Sequence, residues 1–524
     1  MEIRRMSAVA RLLYFAAWVC PTMALIGGGL PTARIIAAFC AAVLSGAVLS
    51  ALPAPGFRVA RLLTVIVLPL SWLWIGYVSL NGMGPTSIDA LGALANTTVA
   101  EAWTAVHLIA NGKSICIGIL QAALLATSYV CGTPRQTLYG GAIGATSLVA
   151  LMVNAWIPRL VPNAPSFLPG RDDLQNIPYG SLWDMLDTWV DHRTVLGQRL
   201  PPGMERRIPN EARVQQDIDA IFVLGETFRF ERSGNLGEEK RAWSALNERF
   251  RAGLGVLLPK VCASADSTAV SVPMLVSGTS PEHQADAARA PSGLARLAAA
   301  GYETAWITNQ GRGFFDDERK DFFWMAKGYA NQYDDALLPI ATAFLNKEPR
   351  RNKALLIHLM DSHAAYDDRY PRMAEPDGIN AEQREALQYT RANDHTIMLL
   401  AKIAAMIDAI PTPAFAVYVS DHGENLLTDH NGIHYHIGAR TTAKAGYVPS
   451  VVFWNSSFLH ASKPDDRLRR FVEAPSLAHA DVYSIWMNFA GLQAELSPTT
   501  DPKIFGKAQL TDRVSAIPCT SLFP

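Results

Sequence analysis

The feature that most limits how this chain can fold is the scarcity of charge in its first third. Of 524 residues, the first 157 carry only Glu2, Asp89 and Glu101 as acids and Arg4, Arg5, Arg11, Arg34, Arg58, Arg61, Lys113 and Arg135 as bases. A soluble domain of that length needs many more charges to cover its surface. The segment instead divides into five apolar stretches, at about 9–29, 33–52, 62–80, 114–131 and 137–157. Each approaches the ~20 residues with which a helix crosses the hydrocarbon core of a bilayer. Gly27-Gly28-Gly29-Leu30-Pro31 and Pro53-Ala54-Pro55-Gly56 punctuate them as turns. A cleaved signal peptide would account for the first stretch and leave the other four unexplained.

Orientation follows from where the short basic loops fall. Arg4, Arg5 and Arg11 precede the first stretch, Arg58 and Arg61 lie between the second and third, and Arg135 lies between the fourth and fifth. All share one side if the N-terminus is cytoplasmic, and the other side then carries only Arg34 and Lys113. Five crossings deliver everything after them to the outside, which in a bacterium is the periplasm. The expected division is a five-helix transmembrane domain at 1–158, a linker at 159–217 and an outer domain at 218–524. Within the linker, SLWDMLDTWV (181–190) puts Leu182, Met185, Leu186, Trp189 and Val190 on one helical face. Such a helix either lies on the membrane surface or packs on the outer domain.

The whole-chain balance of 46 basic against 47 acidic residues gives no support for a nucleic-acid binder. An apolar fraction of 49% excludes a mostly disordered chain. Cys20, Cys40, Cys116 and Cys131 fall within or at the ends of the apolar stretches. Cys262 and Cys519 belong to the outer part and could pair, although nothing in their spacing requires it.

From 218 the pattern changes to short β-rich apolar runs separated by helical segments. DAIFVLG (219–225), TAWIT (304–308), ALLIHLM (354–360), FAVYVS (415–420) and VPSVVFW (448–454) read as strands, and about 380–409 reads as one long helix. That alternation predicts an α/β domain around a largely parallel sheet covered on both faces. In such sheets chemistry gathers beyond the carboxyl ends of the strands. Three of these strands run into unusual residues: Glu226, Asp361-Ser362-His363, and Asp421-His422-Gly423-Glu424, with His430, His434 and His436 close behind the last. Singly, each has an ordinary meaning as a solvated acid, a turn or surface polarity. Together at one sheet edge, carboxylates and imidazoles make a plausible Zn²⁺ site. SADSTAVSVPMLVSG (264–278) adds hydroxyls at Ser267, Thr268 and Ser271 where an apolar helix begins, with Pro273 read as part of its first turn. A helix N-terminus favours anions and suits a phosphate, while the plainer alternative is a Ser/Thr N-cap without chemistry.

GETFR (225–229), STAVSVP (267–273), SHAAYDDRYP (362–371) and SDHGEN…NGIHYH (420–436), in that order, resemble the motif set of the phosphoethanolamine transferases. The resemblance implies an inner-membrane enzyme: an N-terminal five-helix transmembrane bundle followed by a periplasmic α/β domain of the alkaline-phosphatase/sulfatase-like type. It implies Thr268 as the nucleophile that carries phosphoethanolamine, and Glu226, Asp421 and His422 as ligands, with Thr268, of one Zn²⁺. It implies His363 and His436 near the phosphoethanolamine group, where a second Zn²⁺ would have room, with His434 as the rival to His436. Arg312, in TNQGRG (308–313), corresponds to a basic phosphate contact. Thr97 and Glu101, in NTTVAEA (96–102), correspond to the segment that holds the lipid headgroup.

The implied donor is phosphatidylethanolamine, the acceptor a lipid or glycan of the envelope such as lipid A or the lipopolysaccharide core, and the protein a monomer. Some positions depart from the family pattern. Ala93 replaces an Asn one turn before Thr97, Met274 stands where many lipid A-modifying members have Cys, and Cys262 is displaced. The Cys-x-Pro-Ser-Arg of formylglycine sulfatases is missing, which argues against sulfate-ester hydrolysis. A phosphoglycerol transferase, a metal-dependent phosphodiesterase and a silent lipid- or glycan-binding protein are the alternatives. Glu101 favours a cationic ethanolamine over neutral glycerol, and the intact Thr268, Glu226, Asp421 and His422 set weighs against a silent protein.

Overall fold

The protein is described here by a computed structural model covering residues 210–230 except 216, 244–310 except 288, 323–325, 333–348, 352–429 except 365, 436, 441–492, 497–506 and 515–522, besides 12, 15 and 16. These residues fall almost wholly in the second of two compact units, whose main part is Arg193–Pro524. The five apolar stretches (but for those three residues) and the 181–190 helix lie outside the described residues. Among the described residues no helix is long and apolar enough to cross a membrane.

The core is a seven-stranded sheet built from β1 (Asp219–Gly225), β2 (Gly255–Leu257), β4 (Glu303–Thr308), β5 (Phe323–Met325), β6 (Lys353–His358), β7 (Ala414–Ser420) and β9 (Ser450–Trp454). Its order is β2-β9-β7-β1-β6-β4-β5. Pairings on both sides of β1, and from β6 through β4 to β5, are parallel, whereas β9 runs antiparallel to both β7 and β2. The sequence expectation of a largely parallel sheet therefore describes the middle and one flank.

Alternating strand residues serve two separate cores, as the two-residue strand period requires. Phe222, Leu224, Leu356, Val417 and Val419 face one layer with α2 (Thr268–Ser277), α3 (Gly293–Ala299) and α6 (His479–Phe489), where Trp486 meets Phe222. Ile221, Val223, Leu355, Ile357 and Ala416 face the other with α1 (Ser244–Arg251), α4 (Leu337–Leu345) and α5 (Ala381–Asp408). Strands buried on both sides read as unbroken apolar runs, which is why 219–225 and 414–420 were legible. Each fully buried large apolar side chain contributes roughly 1.5–3 kcal/mol. Helix α5 starts at a capping box in which Asn380 and Gln383 each accept the other's backbone N–H.

Two small sheets steer the segment leading to Thr268. In one, β3 (Val261–Cys262) lies between β10 (Leu477–Ala478) and β8 (Tyr447–Val448). The other pairs β11 (Lys503–Gly506) with β12 (Ser515–Pro518), and the Phe505 N–H donates to Ser264 O at 2.8 Å. Cys262 and Cys519 are joined by a disulfide with a Cα–Cα distance of 6.3 Å, so the last part of the chain is stapled beside that segment. The pairing that spacing left open is thus made. Pro273 is not in the first turn of α2 but inside it, in the second turn. Its missing N–H forgoes one helical bond, and the Ser277 hydroxyl donates to the Pro273 carbonyl at 2.6 Å.

Candidate metal and phosphoryl-transfer site

The site lies at the carboxyl ends of β1, β6 and β7. Because β6 and β7 flank β1 on opposite sides, this is where the chain's winding reverses, the position at which open α/β sheets bind their ligands. Glu226 follows β1 directly, and Asp421 and His422 follow β7. All three side chains are fully buried, and their ligand atoms lie within 4.8 Å of one another. Thr268 is the first residue of α2, after Ser267 in the N-cap position. Ser267 makes no side-chain cap bond, so the plain capping alternative does not describe it. The Thr268 hydroxyl donates to Glu226, lying 2.9 and 3.1 Å from the two carboxylate oxygens, and sits 3.1 Å from His422 Nε2. It alone of the four is partly open to solvent.

The tautomer of His422 follows from its partner. A carbonyl only accepts, so the Nδ1–H donates to Gly423 O at 2.9 Å, and Nε2 faces Glu226 Oε1 at 3.2 Å and Asp421 Oδ2 at 3.4 Å. Burial disfavours the imidazolium, but Asp421 and Glu226 outweigh it and raise the His422 pKa to about 10. Burial alone would raise Glu226 too; its bond to His422 and the positive charge there overcome this and hold its carboxyl well below the usual range. Asp421 is pushed up, first by burial and then by the Glu226 charge.

Asp421 Oδ2 is buried without a hydrogen-bond partner, and two carboxylates, one imidazole nitrogen and a hydroxyl converge on one point. That donor set fits Zn²⁺, which takes His nitrogen and carboxylate oxygen in a compact four-fold arrangement.

Of the other residues picked out from the sequence, His363 follows β6 closely enough for its charge to lower the Glu226 pKa, and its Nδ1–H donates to Ala364 O at 2.6 Å. His436 stacks on His422 with ring centroids 4.2 Å apart, and its Nδ1 lies 3.3 Å from Glu424 Oε1. His434, Arg312, Thr97 and Glu101 lie outside the described residues.

Two features were missed from sequence. Gln310, two residues before Arg312 and just past the end of β4, donates from Nε2 to Glu226 Oε2 at 2.8 Å and to Leu359 O at 2.7 Å. The strand-end rule that found the other residues would have found it. Arg229 of GETFR is buried, with Nη1 donating to Asp429 Oδ2 at 2.6 Å and Glu424 O at 3.2 Å, and so ties the end of β1 to the segment that follows β7. Ser271, one of the hydroxyls singled out from the sequence, donates to Asp421 O at 2.6 Å and fastens α2 to the Asp421-His422 turn.

The sheet, its two helical layers and this cluster at the strand ends define a class of proteins. The chain belongs to the sulfatase family, which it matches over residues 219–492. It is 27% identical over 223 residues to the phosphoethanolamine transferase EptC of Escherichia coli (strain K12), a match covering 38% of this chain and 38% of that one. The matched stretch thus spans about two-fifths of that relative's length. Its fold is similar to the C-terminal periplasmic domain of the Escherichia coli EptC (TM-score 0.50, 22% identity, 61% of this chain and 96% of that one). It is also similar to the integral membrane protein lipooligosaccharide phosphoethanolamine transferase A of Neisseria meningitidis (TM-score 0.63, 18% identity, 94% and 95%).

Proposed function

We propose that this chain transfers phosphoethanolamine from phosphatidylethanolamine to a lipid or glycan of the bacterial envelope, working from the inner membrane with its outer domain in the periplasm. The observation that carries the reading is the Thr268 hydroxyl: partly exposed at a helix N-terminus and 2.9–3.1 Å from buried Glu226 and His422. The names of the relatives support phosphoethanolamine as the group moved.

A threonine hydroxyl is a poor nucleophile without activation. Zn²⁺ held by Glu226, Asp421 and His422 would supply Lewis-acid polarisation and lower the pKa of that hydroxyl. The protein's own part begins with Glu226, which accepts the Thr268 hydrogen bond and aims the oxygen at the open side of the site. The N-terminus of α2 then favours the negative phosphoryl group. Thr268 Oγ1 forms a bond to phosphorus as the bond from phosphorus to the diacylglycerol oxygen breaks. The threonine proton passes to a nearby imidazole, and diacylglycerol leaves as the protonated alcohol. An acceptor hydroxyl or phosphate attacks the same phosphorus and returns Thr268 to the alcohol. His363 and His436 bind phosphoryl oxygens and carry the protons, with Arg312 as a further phosphate contact. Thr97 and Glu101 would hold the headgroup on the membrane side.

Incubation of the full chain with phosphatidylethanolamine followed by peptide mass spectrometry tests this. The expected product is one phosphoethanolamine on the peptide containing Thr268. Thr268→Ala should lower transfer at least about a thousandfold, since loss of a nucleophile removes the whole covalent route. An unmodified Thr268 peptide together with undiminished transfer by the variant would remove the reading.

A further inference from the structure

Among the described residues, two of the three non-glycine residues with positive φ are at this site: Thr227 (57°) after β1 and Asp361 (41°) after β6. Left-handed backbone at non-glycine residues is costly and persists where surrounding bonds over-determine it. At Asp361 those bonds are visible. The turn it makes folds back on Glu226 from two sides: Asp361 Oδ2 accepts the Glu226 N–H at 3.2 Å, and the Ser362 N–H donates to Glu226 O at 3.2 Å.

The carboxyl is itself held on every side. Tyr418 donates to Oδ2 at 2.7 Å, and Thr396 and Ser362 donate to Oδ1 at 2.5 and 3.0 Å. Behind it, Asp334 accepts from the N–H groups of Met360 and Asp361 at 3.0 and 2.8 Å and from Asn309 Nδ2 at 2.9 Å. Asn309 precedes Gln310, which grips the Glu226 carboxylate. The ends of β4, β6, β7 and helix α5 are thus wired to the peptide of one acidic residue. Gly225 is part of the fit: a Cβ there would lie 2.5 Å from Asp361 Oδ2 and 2.6 Å from the Tyr418 hydroxyl.

We propose that Asp361 is a positioning residue for Glu226, its anchored carboxyl fixing the Glu226 peptide so that the side chain stays aimed at Thr268 and the metal position. This deepens the transfer reading and rests on it for the identity of the metal ligands. Asp361 touches neither substrate nor reacting atoms; it acts through Glu226.

Glycine at 361 would accept the left-handed backbone without strain while removing the carboxyl, so Asp361→Gly separates holding Glu226 from holding the fold. Asp361→Asn keeps an oxygen for the Glu226 N–H and Tyr418 and offers its amide to the Thr396 and Ser362 hydroxyls, which can turn to accept. The full chain in detergent, stripped of metal, is titrated with Zn²⁺ against a fluorescent chelator. Melting of the zinc-free protein, and kcat and KM for labelled phosphatidylethanolamine, are measured alongside. Loss of a group that orients a metal ligand weakens affinity about 10–100-fold.

The expected result for Asp361→Gly is a loss of that size, a lower kcat with KM little changed, and a zinc-free melting temperature near wild type. Asp361→Asn should stay within about threefold of wild type. Wild-type zinc affinity in Asp361→Gly overturns the proposal, as does an equal loss in both variants. Should Asp361→Gly fail to fold, Tyr418→Phe and Thr396→Val each remove one anchor, and unchanged affinity in both overturns it. A wild-type chain that binds zinc and transfers nothing would sink the transfer reading alone. Wild-type transfer beside a fully zinc-competent Asp361→Gly would sink this one alone.

Discussion

His479 shows what a buried titratable side chain does here without taking part in chemistry. Its Nδ1 accepts the Ser264 N–H at 2.9 Å and its Nε2–H donates to Ser420 O at 3.0 Å, joining the approach to Thr268 with the end of β7. The first of these bonds requires the neutral ring, because a protonated Nδ1 cannot accept. Burial drives its pKa down to about 3. The unfolded chain takes up this proton as pH falls through about 6.5, whereas the folded chain does not until about 3. The stability owed to the neutral ring is therefore complete above the unfolded value and is withdrawn as pH drops between the two. Comparing thermal melting at pH 7 and pH 5, wild type should lose about 2 kcal/mol more than His479→Gln, which does not titrate. An equal loss in both would show that His479 is not the group responsible. At this scale the sequence was legible where a residue's chemistry is unusual for its place, as with Glu226 or Asp421-His422. It was illegible where a common residue does an uncommon job, as with Gln310, an ordinary amide until the fold turns it toward Glu226.

Among the elements, the strand ends carry the argument and the turns after them set the tolerances. Gly423 follows His422 in so tight a turn that a Cβ would lie 2.1 Å from Lys444 O, a backbone atom that cannot swing aside. Its own N–H donates to Ala445 O at 2.7 Å, and its carbonyl receives the His422 Nδ1–H. Gly423→Ala must therefore push the ligand turn off the 443–446 segment and rotate the imidazole with it. The expected outcome is a loss of about 1–3 kcal/mol in thermal stability, the usual range for overpacking, together with weakened zinc binding in a chelator titration. Unaltered zinc binding would mean the turn can shift without moving His422. The long strands and helix α5 were readable because each spans several periods of its pattern. Strands β2, β3, β5, β8 and β10 have two or three residues, too few to show any period, and only partners distant in sequence make them strands. Pro273 was misplaced for a related reason: proline marks a helix start by default, while the N-terminus here is set by the tertiary contacts of Thr268 and Ser271.

For the molecule as a whole, the three layers of the 218–524 domain followed from apolar runs alternating with helices, and its candidate site from the ends of those runs. What no local pattern announced is the link between Cys262 and Cys519, 257 residues apart. Closing a loop of that length removes much freedom from the unfolded chain, and a bond of this kind contributes typically about 2–4 kcal/mol. Cys519→Ser should lower the melting temperature, and adding reductant to wild type should match it. Zinc affinity should be nearly unchanged, because Glu226, Asp421 and His422 are held by other bonds. A melting temperature insensitive to both treatments would show that the bond adds nothing.

The same bond sets an order of events. The β3 strand that leads into the Thr268 loop is made early in the synthesis of this domain, but its covalent partner emerges only 257 residues later. A half-synthesised 218–524 domain can pair β1 with β6, yet it cannot lock the approach to Thr268. The approach to Thr268 is therefore locked late, and only where conditions are oxidising enough to join two thiols.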